Sequence, residues 1–459
     1  MTTASLSFKQ AAAIKASDLE HRRKILFNMG KYDAAVKKGK TQFEHLEAAR
    51  EHAKMIKWQA IEKLDHYLEQ FERQFTQNGG KVIWAENSEQ AIQAILDIAE
   101  KKKCRSVVKS KSMVTEEIHL NQALEQQGIE SVETDLGEFI QQLDGEAPYH
   151  IVTPAMHKSK EDVAKLFAEK LGTPPNLSPE QLTLVARDIL RKKYVEAEIG
   201  VTGGNFIVAD VGGIAVTENE GNARLSCAFP DTHIAIVGIE KVIPSIHDLA
   251  LFWPLLSTFG TGQHVTVYNS LITGPRKSDE TDGPSEMIVI LLDNGRTNVL
   301  KDPVQRQSLY CIRCGACLNA CPIYKNIGGH SYGTTYSGPI GSVITPNLKG
   351  MHTYNHLSHA SSLCGNCTEV CAVKIDLHEL LLDNRMKSVK EHDPSWTEQM
   401  AWKAWKLASL HRSLMNMGTP AIKNNVAKWL FNGWNKHRAP LQFSPKSFHQ
   451  LWKERQNQS

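Results

Sequence analysis

Apolar side chains recur every three or four residues after Thr41, a spacing that is typical of one face of an amphipathic helix. The pair Gly79-Gly80 follows this series, and glycine commonly ends a helix. We therefore predict one long helix up to residue 78, after a polar and helical lead-in over residues 1–40. The apolar positions are Phe43, Leu46, Ala53, Ile56, Ala60, Leu64, Tyr67, Phe71 and Phe75.

After Gly80 the pattern changes to short apolar runs that alternate with helical segments of 10–15 residues. This alternation predicts an α/β domain with a largely parallel sheet. Helices are predicted at Ser88–Lys101, near Thr115, at Pro179–Tyr194 and, much later, at Asp376–Lys390. Strands are predicted at Lys81–Ala85, Ser106–Lys109, Ser131–Thr134, His150–Thr153, Phe206–Ala209, Ile214–Thr217, from His233, and at Glu286–Leu292.

Length and composition indicate a soluble globular protein of about three domains, with 459 residues, of which 22% are charged. The net charge of +3 is too small to favour nucleic acid as a partner. The longest apolar runs, such as Leu249–Leu256, are too short to span a bilayer, and the N-terminus has no apolar signal segment. We expect a cytoplasmic protein with no transmembrane segment.

Seven of the nine cysteines lie between residues 311 and 371. The first string, Cys311, Cys314, Cys317 and Cys321 followed by Pro322, has the spacing C-x2-C-x2-C-x3-C-P. This spacing is typical of bacterial [4Fe–4S] ligands, in which the fourth cysteine binds the other of two clusters. Zinc sites usually pair two shorter cysteine knuckles, so the string favours iron and sulfur over zinc.

A second string repeats this frame with Cys364, Cys367 and Cys371, but Ser361 stands at the first cysteine position and Ala372 at the proline position. Crossed ligation assigns Cys311, Cys314, Cys317 and Cys371 to the first cluster, and Cys321, Cys364 and Cys367 to the second. The second cluster then lacks one thiolate. It has either three irons, or a fourth iron held by water, substrate, Ser361 or one of His352, His356 and His359.

Other candidate residues lie in the α/β region. The segment Lys109–Ser112 follows a strand and precedes a helix, where lysines and backbone N–H groups can meet an anion. Gly203-Gly204 lacks the remainder of a nucleotide-binding motif, so a plain turn is favoured. The charged residues Glu218, Glu220 and Arg224 form either a site or a solvated loop. The isolated cysteines Cys104 and Cys227 are expected to be packed thiols.

Six of the nine tryptophans lie after residue 391, which suggests either a docking surface or an aromatic core. We predict four regions: helical residues 1–78, the α/β domain over 79–300, the two-cluster ferredoxin-type domain over 301–390 and a helical domain over 391–459. The six tryptophans are Trp396, Trp402, Trp405, Trp429, Trp434 and Trp452.

Five segments together resemble the LUD domain, and with the two cysteine strings and the Trp-rich tail the whole chain resembles the lactate utilisation protein B family. The resemblance implies an α/β fold related to CoA-transferases and 5-formyltetrahydrofolate cyclo-ligase, and two [4Fe–4S] clusters. It also implies two partners, a cysteine-rich CCG-domain protein and a second LUD-domain protein. The segments are Lys109–Ile118, Glu133–Glu138, Val201–Phe206, Glu218–Arg224 and Val237–Val242.

The resemblance implies an electron-transfer subunit of a complex that oxidises L-lactate to pyruvate and allows growth on lactate. The first alternative is that the LUD domain is itself an oxidoreductase for another 2-hydroxy acid. The second alternative is a scaffold whose clusters sense redox state. The sequence has no flavin or nicotinamide fingerprint, which argues against hydride transfer within this chain.

Overall fold

The computed structural model describes residues 7–391, 396–432 and 438–457. The chain forms two compact units, residues 1–388 and residues 389–459. The predicted position Trp434 lies outside the described residues. Among the described residues, no helix is both long enough and apolar enough to cross a membrane.

Ten strands form two sheets in the first unit. The larger sheet has six strands in the order β1-β10-β7-β4-β2-β3, and every neighbouring pair is parallel. The smaller sheet has the order β8-β5-β6-β9. The strands are β1 (Lys81–Ala85), β2 (Ser106–Lys109), β3 (Glu130–Glu133), β4 (Ile199–Thr202), β5 (Phe206–Val208), β6 (Gly213–Glu218), β7 (Thr232–Gly238), β8 (Val242–Ile243), β9 (Tyr268–Ile272) and β10 (Glu286–Leu292).

Helices cover both faces of the larger sheet and build the region that follows it. Those before residue 300 are α1 (Phe8–Ser17), α2 (Leu19–Gly39), α3 (Leu46–Glu62), α4 (Leu64–Gln77), α5 (Ser88–Lys101), α6 (Met113–Glu117), α7 (Leu120–Gln126), α8 (Leu136–Asp144), α9 (Lys160–Leu171), α10 (Pro179–Glu196), α11 (Asn222–Ala228) and α12 (Leu249–Thr261). The later helices are α13 (Arg296–Lys301), α14 (Ala316–Ala320), α15 (Pro322–Ile327), α16 (Gly338–Lys349), α17 (Met351–Ser358), α18 (Asn366–Glu369), α19 (Leu377–Glu391), α20 (Trp396–Leu410), α21 (Arg412–Asn416), α22 (Pro420–Leu430) and α23 (Phe448–Gln456).

The strands of the larger sheet are apolar along nearly their whole length because helices cover both faces, as expected for a parallel sheet. All seven residues of β7 are buried, and so are six of the seven residues of β10. One continuous core runs from Ile25 in α2 to Leu381 in α19. The α/β region and the cysteine-rich region therefore share a single core within the first unit.

Two predicted elements differ from the structure. The single helix over residues 41–78 is wrong: α3 and α4 are separated at Lys63, whose backbone (φ −122°, ψ 40°) is not helical. The strand at His150–Thr153 is also wrong. There the His150 ring accepts hydrogen bonds at Nδ1 from the N–H groups of Val152 and Thr153, at 3.1 and 3.3 Å, and this closes a turn.

The second unit is helical and has little buried surface. The five described tryptophans are 48–78% exposed, so they do not form an aromatic core. Large exposed apolar side chains are typical of surfaces that bind another molecule. These five are Trp396, Trp402, Trp405, Trp429 and Trp452.

Candidate functional site

Four thiols from the two cysteine strings line one small cavity. Cys311, Cys314 and Cys317 come from the first string, and Cys371 comes from the end of the second. The remaining wall is largely aliphatic. The structure thus brings together the four cysteines that crossed ligation assigns to the first cluster. Their binding of iron stays a prediction.

The same backbone geometry positions both strings. In the first string, Arg313 and Gly315 have left-handed backbones, with φ of 62° and 81°. In the second, Leu363 and Gly365 have φ of 53° and 79°. Each glycine then begins a short helix, α14 or α18. Two left-handed residues flanking one cysteine curl the chain tightly, so that successive thiols point inward.

The second group contains Cys321, Cys364 and Cys367. Burial raises the pKa of Cys321 and of Cys367, and the thiolate of Cys364 raises both further, which places the three sulfurs close together. Asn366 Nδ2 donates a hydrogen bond of 2.9 Å to Ala320 O and so ties the second string to the first. Cys364 is exposed, whereas the other two thiols are buried.

Both groups fit the ligand set of an iron–sulfur cluster. Burial, with a smaller contribution from neighbouring thiolates, raises the pKa of Cys314 to about 12 and that of Cys371 to about 11. A positively charged group that binds sulfur removes this electrostatic cost. Backbone N–H groups also reach sulfur, from Arg313 to Cys311 Sγ at 3.4 Å and from Tyr324 to Cys321 Sγ at 3.5 Å.

The candidate fourth ligands of the second group have other contacts. Ser361 Oγ accepts a hydrogen bond of 3.1 Å from the N–H of Leu363. The His356 ring lies 3.1 Å from Thr353 O and against the ring of Phe8. His352 and His359 also have contacts within the protein. The identity of a fourth ligand therefore stays open.

A cavity of about 610 Å³ lies between the carboxyl ends of the central strands and the first cysteine string. One wall carries the residues that follow β2, β3 and β4, including Ser110–Ser112, Asp135 and Gly203–Asn205. Arg313 and Cys314 of the first cysteine string also line this cavity. In open parallel sheets, ligands bind at the carboxyl ends of the strands, and this volume is typical of a ligand site.

Of the two lysines predicted to meet an anion, only Lys111 lines this cavity. Its Nζ donates to Val152 O at 2.9 Å and lies 3.5 Å from Asp135. Lys109 is fully buried below the cavity, where its Nζ lies 2.6 Å from Glu133 and 3.1 Å from Glu116. Lys109 is therefore part of a structural ion cluster.

The Gly203-Gly204 turn allows close packing at the end of β4. A Cβ atom on Gly203 would lie 2.7 Å from Ser112 Oγ, and one on Gly204 would lie 2.8 Å from a methyl group of Ile214. Such distances are too short for carbon contacts. The glycines therefore let this loop form the cavity wall without a side chain filling the space.

Of the three predicted charged residues near β6, the structure places Glu218 and Glu220 in the cavity wall and Arg224 elsewhere. Glu218 and Glu220 line the cavity, and burial raises the pKa of both. Glu218 accepts hydrogen bonds from the N–H groups of Ala223 and Arg224, at 2.6 and 3.0 Å. The Arg224 guanidinium instead packs on the ring of Tyr268, 5.3 Å from its centroid. The acids thus form one end of the cavity, and the cations at Arg313 and Lys241 lie among its other lining residues.

The two isolated cysteines are buried, as predicted. Burial raises the pKa of Cys104 to about 11 and raises that of Cys227 still more. A buried thiol with a raised pKa is a poor nucleophile at neutral pH. These two residues therefore serve as packing.

Comparison with known proteins assigns these regions. Family models match in chain order: the LUD domain at residues 68–292, the 4Fe-4S dicluster domain at 307–375 and the C-terminal domain of lactate utilisation protein B at 383–457. Lactate utilization protein B of Bacillus velezensis is 46% identical over 372 residues, which cover 81% of this chain and 78% of that protein. This chain belongs to the lactate utilization protein B family.

A second relative of this chain is the uncharacterized electron transport protein YkgF of Escherichia coli K12. It is 40% identical over 441 residues, which cover 96% of this chain and 92% of that protein. Among solved structures, a DUF162 family protein from Deinococcus radiodurans matches half of this chain and 98% of its own, at 13% identity and a TM-score of 0.29. That score is too low to bear on the fold.

Membership in the lactate utilization protein B family bears out the expected order of regions. An α/β domain with a parallel sheet precedes a 4Fe-4S domain and a helical C-terminal region. The match to the 4Fe-4S dicluster domain covers both cysteine strings and supports iron–sulfur clusters over zinc. Sequence reasoning missed Lys241 and Arg313 in the cavity wall. The available signal was a charged pair, Glu240-Lys241, that interrupts an apolar run after β7.

Proposed function

We propose that this protein is the iron–sulfur electron-transfer subunit of a complex that oxidises L-lactate to pyruvate. The names of its relatives support a role in lactate utilisation and in electron transport. The observation that carries the proposal is the position of Cys314. This cysteine belongs to the first thiol group and also lines the cavity at the carboxyl ends of the LUD strands.

The arrangement of thiols supports a direction for electron transfer. The first group lies beside the cavity and has two buried and two partly buried cysteines, whereas Cys364 of the second group is exposed. Cys317 lies within α14 and Cys321 directly follows it, so the two groups are joined by four residues, roughly 6 Å of helical rise. Electrons would enter beside the cavity and leave near Cys364.

The chemistry requires one-electron carriers in series. Oxidation of the lactate hydroxyl to a carbonyl releases two electrons and two protons, and each [4Fe–4S] cluster, when bound, supplies transfer of one electron at a time. The chain contributes the thiols, the N–H groups that donate to sulfur and the largely aliphatic wall that limits access of water. These features set the reduction potential of a cluster.

Further parts of the proposal concern fold and partners. We propose that the α/β domain has a fold related to CoA-transferases and 5-formyltetrahydrofolate cyclo-ligase. We also propose that the partners are a cysteine-rich CCG-domain protein and a second LUD-domain protein, in the cytoplasm. The exposed tryptophans of residues 389–459 support docking to another protein, because tryptophan is enriched at interface hot spots.

The test is reduction by the substrate. The tagged protein is purified without oxygen, with and without its co-purifying partners, and L-lactate is added while visible absorbance and the EPR spectrum are recorded. We expect bleaching and a reduced-cluster signal only when the partners are present. Reduction of the isolated chain by L-lactate would instead favour a LUD domain that oxidises the acid itself. Clusters that dithionite reduces and L-lactate never reduces would contradict the proposal.

A further inference from the structure

Two buried cations line the cavity beside the first thiol group. Lys241 follows β7 and lies in a short helical turn before β8, and Arg313 lies between Cys311 and Cys314. They are 72 residues apart in sequence, and only the fold brings them to one wall. Neither cation has a full set of hydrogen-bond acceptors in the described part of the chain.

Lys241 is 6% exposed, and its ammonium donates no hydrogen bond to any described residue. Burial, with a further contribution from the Arg313 charge, lowers its pKa to about 8. An unpartnered buried ammonium is costly, and natural proteins usually pair such a group. Because its side chain lines the cavity, an anionic ligand there can supply the missing acceptor.

The Arg313 side chain is 10% exposed and packs over the ring of Tyr336, 4.4 Å from the centroid. Its Nη2 reaches Glu240 only at 3.4 Å, and its Nη1 is buried and has no hydrogen-bond partner among the described residues. Glu240 cannot satisfy Arg313 fully, because its other oxygen lies 2.6 Å from Arg296 Nε. A guanidinium held flat with a free edge is suited to carboxylates.

The alternative role of these cations is to balance the charge of the nearby thiolates. Lys57 fits that role: it is 1% exposed, and its Nζ donates to the carbonyls of Glu240 and Val242 at 2.6 and 3.1 Å, away from the cavity wall. Its hydrogen bonds are therefore satisfied within the protein. Lys241 and Arg313 differ from Lys57 in lining the cavity with donors left over.

We propose that Lys241 and Arg313 bind the carboxylate of a small organic acid, at the part of the cavity wall that carries Cys314. The acid's identity rests on the function proposed above, under which it is the 2-hydroxy acid that is oxidised or its 2-oxo product. Binding its carboxylate here leaves the rest of the molecule in the cavity that Cys314, Glu218 and Glu220 also line.

The experiment measures binding and not turnover. Pyruvate, and its neutral amide pyruvamide as the matched ligand, are titrated calorimetrically into the oxidised, cluster-loaded full chain. We expect Lys241→Met and Arg313→Gln to weaken pyruvate binding by roughly tenfold to a hundredfold, the usual effect of losing a hydrogen bond to a charged group. Lys40→Met is the control: Lys40 is a cation close to Cys314, its ammonium packs on the ring of Phe259 at 4.5 Å, and it is not among the residues that line the cavity. We expect this variant to bind pyruvate as the wild type does.

Iron content and the dithionite-reduced EPR signal establish that each variant is assembled. Equal weakening of pyruvate binding in Lys40→Met and Lys241→Met would show that the cations act only through the general electrostatic field and would overturn the proposal. If the variants lose iron, the test uses the affinities of the wild-type chain for the two ligands. Pyruvamide binding as tightly as pyruvate would overturn the proposal. Binding of pyruvate without binding of pyruvamide would support it.

The result is separable from the proposed function. Pyruvate binding that depends on Lys241 and Arg313, in a complex that L-lactate does not reduce, would retain the carboxylate site and reject the electron-transfer role. Reduction by L-lactate, with pyruvate binding unchanged in both variants, would retain that role and reject this site.

Discussion

Arg50 donates hydrogen bonds from Nε and Nη2 to the backbone carbonyl of Cys371, at 3.1 and 2.8 Å, across 321 residues of sequence. Its Nη2 also donates to Glu369 O at 2.7 Å, and the side chain is buried. The N-terminal helix α3 thus holds the end of the second cysteine string in place. That string supplies the fourth thiol of the first group.

We therefore expect Arg50→Met to make the position of the Cys371 thiol less well fixed. Four hydrogen bonds from a charged donor are lost, three to backbone carbonyls and one to Glu47, and the buried carbonyl of Cys371 is left unpaired. The free energy of unfolding should therefore fall by roughly 2–4 kcal/mol. Iron bound per chain should fall as well, which elemental analysis of the purified protein measures. Arg73→Met, at an exposed position on α4, is the control and should match the wild type. Full iron content in Arg50→Met would refute this role.

A second prediction concerns the ion network around Arg296, whose side chain is 1% exposed. It lies 2.8 Å from Glu117 and 2.6 Å from Glu240. Arg296→Met leaves two buried carboxylates without their main partner. We expect the free energy of unfolding, measured with urea, to fall by about 3–5 kcal/mol. Arg276→Met removes an exposed arginine and should change stability by less than about 0.5 kcal/mol. Similar stabilities for the two variants would contradict this account.

A third prediction concerns pH and His233, which is fully buried with Nε2 2.8 Å from Thr202 Oγ1. Burial lowers its pKa to about 4, below the ordinary value of 6.5. The unfolded chain therefore binds a proton at a higher pH than the folded one. The stabilisation is complete above pH 6.5 and is lost as the pH falls towards 4.

The measurement compares urea unfolding of the wild type and His233→Gln at pH 7.5 and pH 5. When the pH falls from 7.5 to 5, we expect the free energy of unfolding of the wild type to decrease by about 2 kcal/mol more than that of the variant. The other histidines titrate in both proteins and cancel in this difference. An identical loss in the two proteins would show that His233 does not carry the pH dependence.

A fourth prediction concerns the tryptophans of the second unit. Replacing Trp396, Trp402 and Trp405 together by serine should abolish co-purification of the partner proteins, because exposed tryptophans are frequent hot spots. The melting temperature of the first unit should not change, since these side chains are exposed. Trp58→Ser, which removes a 47% exposed tryptophan from α3, is the matched control. Co-purification of the partner proteins with the triple variant would exclude docking through these three tryptophans.

Local patterns predicted much of the fold. The helix α5 and the strands β1, β2 and β10 have the predicted bounds, because each is a clear apolar run closed by a turn or cap. The strand β4 was missed. Its sequence Ile-Gly-Val-Thr has three β-branched residues, but the run is only four residues long and contains a glycine. It is a strand because β2 and β7 pair with it on either side. Tertiary pairing of this kind leaves no local pattern.

The sequence likewise predicted only some residues of the candidate site. Cysteine spacing predicted both thiol groups, since the ligands lie within two short strings. The cavity cations could not be predicted, because Lys241 and Arg313 meet only after the α/β sheet packs on the first string. The interpretation of Lys109 as an anion-binding residue failed for a related reason. Its partner Glu133 becomes a neighbour only when β2 and β3 pair, and Glu116 reaches it only when the chain turns from β2 into α6.

The central claim is that electrons enter at the first thiol group and leave through the second. It is tested most directly with two variants, Cys317→Ser and Cys367→Ser, each assembled with the partners and assayed for reduction by L-lactate and for transfer to ferricyanide. We predict that L-lactate still bleaches the Cys367→Ser complex, while transfer to ferricyanide falls sharply. The Cys317→Ser complex should not be bleached by L-lactate, although dithionite still reduces its remaining cluster. The opposite pattern, with bleaching by L-lactate lost only in Cys367→Ser, would contradict the account.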